Sequence, residues 1–457
     1  MIAKLLHKFR LRLQINVQKV LLFVLNLSFT KRAIFFNDAK VDLIKRAEFF
    51  PKIDKDVFRF SADWSKAHEL WNQGKSELAT KLRISVLEEI YRLHEASENH
   101  FPPALSNQFF GVIGHHAFAG IHIAARRLDL IPDSKRIAII SPSLRNETTL
   151  SLYKNDFVFT NFAYGKGFTE APLNWHMFER NEIIRSKRGF IESYDLVDSV
   201  FRHKQVSIRN PFFSIDEDYA DKSSSILRQF GLTRQDWFVG LHIRDGGKTP
   251  ALRNQQIENY LPAIKAITDR GGWVIRIGGV GMPPLPEMPR VIDLTTRPNA
   301  LREVHLFVLA RSKFFIGTCS GPQYFPSLFG VPTLFTNQIG IGRSILTFSK
   351  DSIHLPKHFI RSDGRKASFS EMLESPFGYG ELSLKEFADL GIHVQENSKN
   401  EILLATLEMF SRIDGEFQEM DNSFDNRVAE IRSAFWWTSK GRFASSYLQE
   451  NESWFLK

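Results

Sequence analysis

The sequence has a single cysteine, Cys319, among its 457 residues. One cysteine excludes an internal disulfide and a zinc site built from several thiolates. We therefore expect a protein of a reducing compartment that is not secreted. The chain is not fibrous or disordered in composition, because 43% hydrophobic and 24% charged residues are ordinary values for a folded soluble protein. A chain of this length has room for two domains.

Long apolar runs are also missing near the amino terminus. The run at residues 20–29 has ten residues, about half of the roughly 20 that a membrane-spanning helix needs. No small-residue cleavage site follows it, so a removable signal peptide fits poorly. Residues 11–17 alternate apolar and polar side chains as a strand does, which leaves the conformation of residues 11–29 open.

Net positive charge is small outside the first fifty residues, because basic and acidic side chains nearly balance there. That segment holds ten basic and three acidic side chains, a net of +7, which leaves only +2 of the total +9 for the other 407 residues. Nucleic-acid binding needs a basic stripe along the folded body, so we expect no nucleic-acid partner. Residues 1–32 are predicted to lie on an anionic membrane surface, where each Lys or Arg contributes roughly 1 kcal/mol. A first core helix with solvated charges is an equal alternative.

Apolar runs alternate with amphipathic patterns in the second half of the chain. Five runs predict strands, at residues 237–243, 273–277, 291–294, 314–317 and 333–336. Helical patterns lie between them, at residues 256–269, 300–311 and 321–329. This alternation predicts a parallel sheet with helices on both faces and a ligand at the carboxyl ends of the strands.

The first half carries a shorter version of the same pattern. Residues 54–99 are helical in period, and residues 109–140 read as strand, glycine turn, helix and strand. We therefore predict an α/β protein with two Rossmann-like, doubly wound domains and a helical, basic N-terminal extension. The predicted parts are residues 1–50 (basic, apolar segment), 51–100 (helical extension), 101–213 (first Rossmann-like domain), 214–390 (second Rossmann-like domain) and 391–457 (closing helices and aromatic tail), with Pro211 as the hinge.

His242 and Arg244 stand at the end of the first strand of the second half. Side chains alternate along a strand, so the two share a face at the edge where a ligand is expected. Arginine offers a planar, permanently charged fork to phosphate oxygens, and histidine can hydrogen-bond or protonate a leaving phosphate. The alternative is an Arg244 paired with a carboxylate and a His242 satisfied in the core.

A turn rich in small and hydroxyl residues follows the fourth predicted strand. Thr318, Ser320 and Gly321 precede Pro322, which suits the first turn of a helix. Free backbone N–H groups and the positive end of a helix dipole make such a turn an anion site. Ordinary helix capping is the alternative use of these residues.

Three further positions carry candidate chemistry. Arg276 lies in a strand fit for full burial and needs a carboxylate or phosphate partner; Asp293 is either that partner or an acceptor for a ribose or base. His115 and His116 follow a glycine at a strand-to-helix turn, where one is a candidate general base near neutral pH.

Two other patterns are discounted. Residues 278–281 are glycine-rich and follow a strand, but prolines at 283, 284 and 286 replace the helix that a nicotinamide dinucleotide site requires. Asp216, Glu217 and Asp218 resemble a carboxylate metal site. They lie at a predicted helix start, where acidic side chains are favoured by the helix dipole without any metal. We expect no metal and no bound cofactor.

Five ordered motifs of the second half resemble a family of bacterial glycosyltransferases found with surface-polysaccharide genes. They are residues 237–245 (WFVGLHIRD), residues 253–260 (RNQQIENY, with Arg253 and Asn254), residues 272–278 (GWVIRIG), residues 291–293 (VID) and residues 314–321 (FFIGTCSG). The His-x-Arg is similar to that of fucosyltransferase-like enzymes, where it sits beside the donor diphosphate. Asp245 follows here, where those enzymes usually carry a second arginine.

The resemblance implies a two-domain glycosyltransferase of the GT-B type. It implies a nucleotide-sugar donor on the second half, a cell-envelope glycan or lipid-linked acceptor on the first, and hexosyl or deoxyhexosyl transfer without metal at the cytoplasmic face of the membrane. Binding of the donor is then expected at Arg244, Arg276, Asp293, Thr318, Ser320, Gly321, Arg253 and Asn254. The rival hypothesis is a non-catalytic nucleotide- or sugar-binding protein of a polysaccharide assembly complex.

Overall fold

A computed structural model describes residues 63, 66–67, 69–70, 75–95, 104–105, 113–131, 136–140, 147–153, 155–161, 183–186, 189–192, 196, 199–200, 203, 213–245, 251–340, 349–373, 383–418 and 441–455. The predicted membrane-surface segment, residues 1–32, lies outside these ranges. Within them, no helix is both long enough and apolar enough to cross a membrane.

Strands and helices alternate along the described chain. The strands are β1 Ala104–Leu105, β2 Arg136–Ile140, β3 Phe157–Asn161, β4 Ile183–Ser186, β5 Gly189–Glu192, β6 Phe238–His242, β7 Trp273–Arg276, β8 Val291–Asp293, β9 Phe315–Gly317, β10 Thr333–Gln338, β11 Ile353–Pro356, β12 His358–Arg361, β13 Ile392–Gln395 and β14 Arg442–Phe443. The helices are α1 Ser76–Glu95, α2 Ile113–Arg127, α3 Glu147–Leu150, α4 Glu217–Arg228, α5 Leu261–Asp269, α6 His305–Arg311, α7 Phe369–Leu373, α8 Leu384–Asp389, α9 Lys399–Ile413 and α10 Ser445–Phe455.

Two parallel sheets confirm the predicted α/β class. The larger has seven strands in the order β14-β11-β10-β9-β6-β7-β8, and every neighbouring pair is parallel. The smaller runs β1-β2-β3, also parallel. All five strands predicted in the second half are confirmed as β6 to β10, and residues 136–140 are confirmed as β2. The domain boundaries stay predictions.

The strand order of the large sheet reverses at one point. From β6 the chain adds β7 and β8 on one side, then crosses to add β9, β10 and β11 on the other. The order therefore reverses between β6 and β9, the topological switch point of a doubly wound sheet. In such sheets ligands bind in the crevice at the carboxyl ends of the two strands that flank this point.

Helices cover both faces of the large sheet, because alternate strand residues belong to two separate cores. Phe238, Ile275 and Phe315 pack on one face with α4, α6 and α2. Val239, Val274 and Ile316 pack on the other face with α5 and α9. Gly240 lies where the sheet leaves no room for a side chain, because a Cβ at this position would be 2.6 Å from Cδ2 of Phe315.

Two predicted helices differ in the structure. The single helix predicted at residues 321–329 is two 3₁₀ turns, Gly321–Tyr324 and Pro326–Phe329. Pro326 lacks the N–H that would continue a helix through this point, which accounts for the break. The helix predicted at residues 300–311 begins as a 3₁₀ segment and is α-helical only from His305.

The closing helix predicted near residue 401 is confirmed as α9. Ser398 and Glu401 form a reciprocal capping box at its start, so two backbone N–H groups that the first turn leaves open are satisfied. The predicted helical pattern at residues 54–99 is confirmed over α1, and the helix after residue 113 is confirmed as α2.

Candidate functional site

The switch point brings the two predicted ligand-binding turns into contact. His242 at the end of β6 lies directly opposite Gly317 at the end of β9. Beyond the strands, the backbone N–H of Thr318 donates to the carbonyl of His242 at 3.2 Å, and the N–H of Arg244 donates to Thr318 Oγ1 at 3.2 Å. The turn after β6 and the turn after β9 are therefore hydrogen-bonded to each other at the carboxyl edge of the sheet.

A returning loop adds Arg253 to Arg244. The N–H of Gln255 donates to the carbonyl of Arg244 at 2.8 Å, so residues 251–255 run back along the end of β6. Arg244 is partly buried, and burial lowers the pKa of its guanidinium, with the like charge of Arg253 acting in the same direction. Arginine stays protonated despite such shifts. The structure therefore holds two positive charges close together at this edge.

Lys357 is a third cation at the same edge, and the sequence analysis missed it. The residue follows β11 directly, and its N–H donates to the carbonyl of Gln338 at 3.0 Å. Its side chain is only 3% exposed. Burial lowers the pKa of the Lys357 amine, while Glu396 opposes that change. No ion pair with a carboxylate is formed by this amine among the described residues.

Cys319 lies at the meeting point of the three cations. Its Sγ is 3.8 Å from the carbonyl of Ile339, one residue beyond the carbonyl that holds Lys357. Burial raises the pKa of the thiol, and the charges of Arg253, Lys357 and Arg244 oppose that rise. The thiol is therefore protonated and buried in the turn after β9. The surrounding charge suits an anionic ligand.

His242 is held as a neutral hydrogen-bond acceptor. Its Nδ1 is 3.0 Å from the carbonyl of Ile277, and because a carbonyl only accepts, Nδ1 carries the proton. Nε2 is buried and has no partner. Burial lowers the pKa of His242 to about 4. In this state the side chain offers a lone pair at Nε2, not a proton for a leaving phosphate.

The turn after β9 differs from the predicted anion site. Ser320 precedes a 3₁₀ turn of four residues that starts at Gly321, and its side chain makes no capping hydrogen bond. So short a turn supplies no helix dipole of consequence. Thr318 uses its hydroxyl oxygen to accept from Arg244. The side chains of the three cations, not a helix terminus, therefore provide the positive charge here.

Arg276 and Asp293 lie at the same edge and bind each other, which is the structural ion pair that the sequence analysis held open. Arg276 Nη1 is 3.0 Å from Asp293 Oδ2 and also donates to the carbonyl of Pro283 at 2.6 Å. Asp293 also accepts from the N–H groups of Leu285 and Thr295. Protein groups therefore bind both guanidinium nitrogens Nη1 and Nη2 of Arg276 and both carboxylate oxygens of Asp293, while Nε of Arg276 is buried without a partner among the described residues.

The remaining predicted residues are placed as follows. Asn254 is half-buried beside Arg253, with an Oδ1 that has no partner. His115 and His116 lie in the first turn of α2, and their side chains lie outside the described part of the structure. Asp216 caps α4 by accepting from the N–H of Asp218, as its placement at a helix start predicted.

A cavity near this edge has acidic residues in its wall and is not lined by the three cations. It measures about 480 Å³ and lies between the loops that follow β6 and β7. Asp245 and Glu258 contribute carboxylates to its wall, with the prolines at 283, 284 and 286. Carboxylates repel a diphosphate, so this cavity is not the anion site. As the proline argument predicted, the described residues 277–290 contain no helix.

Comparison with known proteins adds two structural likenesses. No family model matches the chain, and no curated protein sequence matches it. A glycosyl transferase family 9 protein from Veillonella parvula DSM 2008 is similar over 64% of this chain and 97% of its own, with 11% identity and a TM-score of 0.37. The E. coli ADP-heptose LPS heptosyltransferase II is similar over 63% of this chain and 96% of its own, with 10% identity and a TM-score of 0.37. Identity and TM-score this low assign no reaction and no residue.

Proposed function

We propose that the protein is a glycosyltransferase that moves a sugar from a nucleotide-diphosphate donor to a cell-envelope glycan or lipid-linked acceptor. The observation that carries this proposal is the convergence of Arg244, Arg253 and Lys357 around Cys319 at the switch point. Three cations that are buried or partly buried at one sheet edge suit a ligand with several negative charges. A nucleoside diphosphate is such a ligand, and the crevice beside β6 and β9 is where doubly wound sheets bind nucleotides.

The proposed chemistry follows from where charge develops. The bond between the sugar C1 and the diphosphate oxygen breaks, and the electron pair leaves with the diphosphate. The three cations stabilise that growing negative charge, and fixed charges in a water-poor site are effective at this. The acceptor hydroxyl forms the new bond to C1 and gives up its proton to a base, for which His115 and His116 remain the proposed candidates.

Metal independence is part of the proposal. Two arginines and a lysine supply three positive charges, the role that a divalent cation plays at many diphosphate sites. Donor binding in the presence of a chelator should match binding in its absence. A loss of binding on adding the chelator would replace this part of the proposal with a metal-dependent site.

Attachment to the inner face of the cytoplasmic membrane is proposed for residues 1–32. Ten basic side chains in the first fifty residues and the apolar run at residues 20–29 support it. Deleting residues 1–30 should weaken sedimentation with vesicles containing anionic phosphatidylglycerol and leave sedimentation with neutral vesicles unchanged. Equal retention of both forms of the protein on anionic vesicles would end the membrane proposal.

The donor proposal is tested first by ligand-induced stabilisation. UDP, GDP, ADP, CDP and NAD are titrated against the wild type, Arg244→Met and Arg253→Met, with Arg234→Met as control. Arg234 is exposed and pairs with Asp221, and it precedes β6 whereas the site follows β6, so its variant removes the same charge beyond the opposite end of the strand. A ligand at 100 times its Kd adds about 2.7 kcal/mol to the free energy of unfolding.

One nucleoside diphosphate should raise the Tm of the wild type and of Arg234→Met, and raise it little in the two site variants. Stabilisation of all four proteins to the same extent would remove the cations from the site. Release of nucleoside diphosphate from the matching sugar nucleotide then separates an enzyme from the rival, a protein that binds the nucleotide without catalysis. A binding protein holds the donor and releases none.

A further inference from the structure

Three polar atoms at the switch point are buried and have no hydrogen-bond partner among the residues that the structure describes. They are Nε2 of His242 and both amide atoms, Oε1 and Nε2, of Gln323. The exposed fraction of Gln323 is 1% and that of His242 is 3%. Buried polar groups in native proteins are nearly always paired, because an unpaired one loses its bonds to water without replacement. Three such atoms in one place point to a partner that binds there.

The two side chains lie on neighbouring positions of one sheet face. His242 is opposite Gly317 in the ladder, and residues opposite each other in a sheet share a face. A Cβ on Gly317 would lie 2.7 Å from Cβ of Gln323, so Gln323 occupies the space that a side chain of Gly317 would fill. The glycine therefore lets the Gln323 amide approach the end of β9 beside His242.

This face is the one that meets the first half of the chain. Gly240, two residues before His242 on the same face, lies under Phe315 and Val308, which belong to the core shared with α2. Helix α2 also contacts the turn Gly321–Tyr324 that carries Gln323. Cys319, in contrast, belongs to the core of the opposite face. Arg244, one of the three cations, is close enough to His242 to lower its pKa, so the unpaired atoms and the cations lie on adjacent parts of one sheet edge.

We propose that His242 and Gln323 bind a hydroxyl group of the sugar that is transferred, an inference that rests on the proposed function. A hydroxyl both donates and accepts, so it can donate to Nε2 of His242 and accept from the amide N–H of Gln323. A donor that crosses the sheet edge places its diphosphate among the cations and its sugar on the α2 face. Helix α2, which belongs to the half to which the acceptor is assigned, packs on that face.

The test compares Gln323→Met with the wild type. Methionine has nearly the same length as glutamine and carries no amide. The dissociation constants of UDP, GDP, ADP and CDP are measured beside those of UDP-glucose, GDP-mannose, ADP-glucose and CDP-glucose. The ratio of the Kd of the sugar nucleotide to that of its nucleoside diphosphate should rise about tenfold in the variant, the effect of one lost hydrogen bond. The Kd of the diphosphate itself should not change.

A second readout distinguishes ligand binding from a structural role. Replacing an unpaired buried amide by an apolar side chain of similar shape should raise the Tm of the unliganded protein. The matched control is Gln338→Met. Gln338 is equally buried and its Nε2 is also unpaired among the described residues, but its Oε1 accepts from Nδ1 of His354 at 3.0 Å. That variant should lower the Tm and keep the wild-type ratio of dissociation constants.

The outcomes separate the two proposals. An unchanged ratio in Gln323→Met, or a Tm that falls as in Gln338→Met, overturns the sugar-hydroxyl inference and leaves the diphosphate site in place. Equal weakening of the diphosphate and the sugar nucleotide also overturns it, since Gln323 would then belong to the nucleotide site. Absence of binding of every nucleotide to the wild type overturns the proposed function, and the inference with it.

Discussion

Arg276 and Asp293 end the neighbouring strands β7 and β8 and face each other in the ladder, with 3.0 Å between Nη1 and Oδ2. The Arg276 side chain is fully buried, and that of Asp293 is 10% exposed. The carboxylate also accepts from the N–H of Leu285, so the pair fixes the proline-rich segment that follows β7. This ion pair supports one wall of the crevice and is not itself open to a ligand.

Removing one member of this pair should destabilise the fold. Asp293→Ala leaves a buried guanidinium without its counter-charge, and breaking a buried pair in this way costs about 3–5 kcal/mol. Urea unfolding of the variant should show this loss. The double variant Arg276→Met, Asp293→Leu should recover most of the lost stability, because no charge is left buried. Wild-type stability in Asp293→Ala together with lost nucleotide binding would instead make Asp293 a ligand contact.

The strands β6 to β10 were predictable because their side chains are buried on both faces. Such strands read as short, almost continuous apolar runs, a pattern that needs no knowledge of the partner strands. β11 was missed since its four residues, Ile353–Pro356, include a histidine and a proline. The His354 ring is buried through its bond to Gln338, a tertiary contact that the local pattern does not contain.

Some residues of the site were predictable from the local sequence, and others depend on contacts between distant parts of the chain. Arg244 and Thr318 were found because each follows a strand, and the ends of parallel strands share one edge. Lys357 was missed because its position depends on the unpredicted β11. Gln323 was visible in the turn after β9, but its role depends on Gly317 and on the order of β6 and β9. Strand order is a property of the whole sheet, which spacing along the chain does not determine.

The glycines after β7 should behave differently from each other, and neither should act as a phosphate cradle. A Cβ on Gly278 would lie 2.8 Å from Sδ of Met282 and 2.9 Å from Cγ2 of Thr295, whereas nothing lies within 4 Å of one on Gly279. Gly278→Ala should lower the free energy of unfolding by about 1–3 kcal/mol, the usual cost of overpacking. Gly279→Ala should raise the free energy of unfolding by about 0.4–1 kcal/mol, because alanine lowers the conformational entropy of the unfolded chain.

Nucleotide affinity is the second measurement on the Gly279→Ala variant. Because the helix of a dinucleotide site is absent after β7, the variant should bind nucleoside diphosphates as the wild type does. A clear loss of affinity, with stability maintained, would reinstate residues 278–281 as part of a phosphate site.

His242 should make the fold sensitive to acid. Its pKa is lowered from 6.5 to about 4 by burial, so at intermediate pH the unfolded chain takes up a proton that the folded protein does not. Stability is therefore unaffected above about pH 6.5, falls as the pH drops towards 4, and changes no further below it. The shift corresponds to about 3 kcal/mol at most.

The measurement is the free energy of unfolding against pH for the wild type and His242→Asn. Asparagine keeps a donor for the carbonyl of Ile277 and cannot take up the proton. The variant should have a lower stability at pH 7 but a flatter profile between pH 6.5 and 4. His305, whose pKa is also lowered to about 4 by burial, contributes equally to both profiles and cancels in their difference. Parallel profiles would show that His242 does not titrate in this range.

Lys357 should make nucleotide binding depend on alkaline pH. Burial lowers the pKa of its amine from the ordinary 10.5, so its positive charge is lost at a lower pH than that of an exposed lysine. A diphosphate loses a partner when that charge disappears. The affinity of the wild type for the stabilising nucleoside diphosphate should therefore fall as the pH rises from neutrality towards 10.5. The diphosphate group keeps its charge over this range, since the second ionisation of a phosphate lies near pH 6.

Lys357→Arg is the control that isolates this charge, because a guanidinium keeps its proton throughout the range. The variant should bind with an affinity that stays nearly constant as the pH rises, even if its value at neutral pH is lower than that of the wild type. Burial raises the pKa of the Cys319 thiol above its ordinary 9.0, and this thiol is present in both proteins. A decline of the same size in Lys357→Arg would place the titrating group elsewhere and remove Lys357 from the anion site, leaving Arg244 and Arg253 to hold the diphosphate.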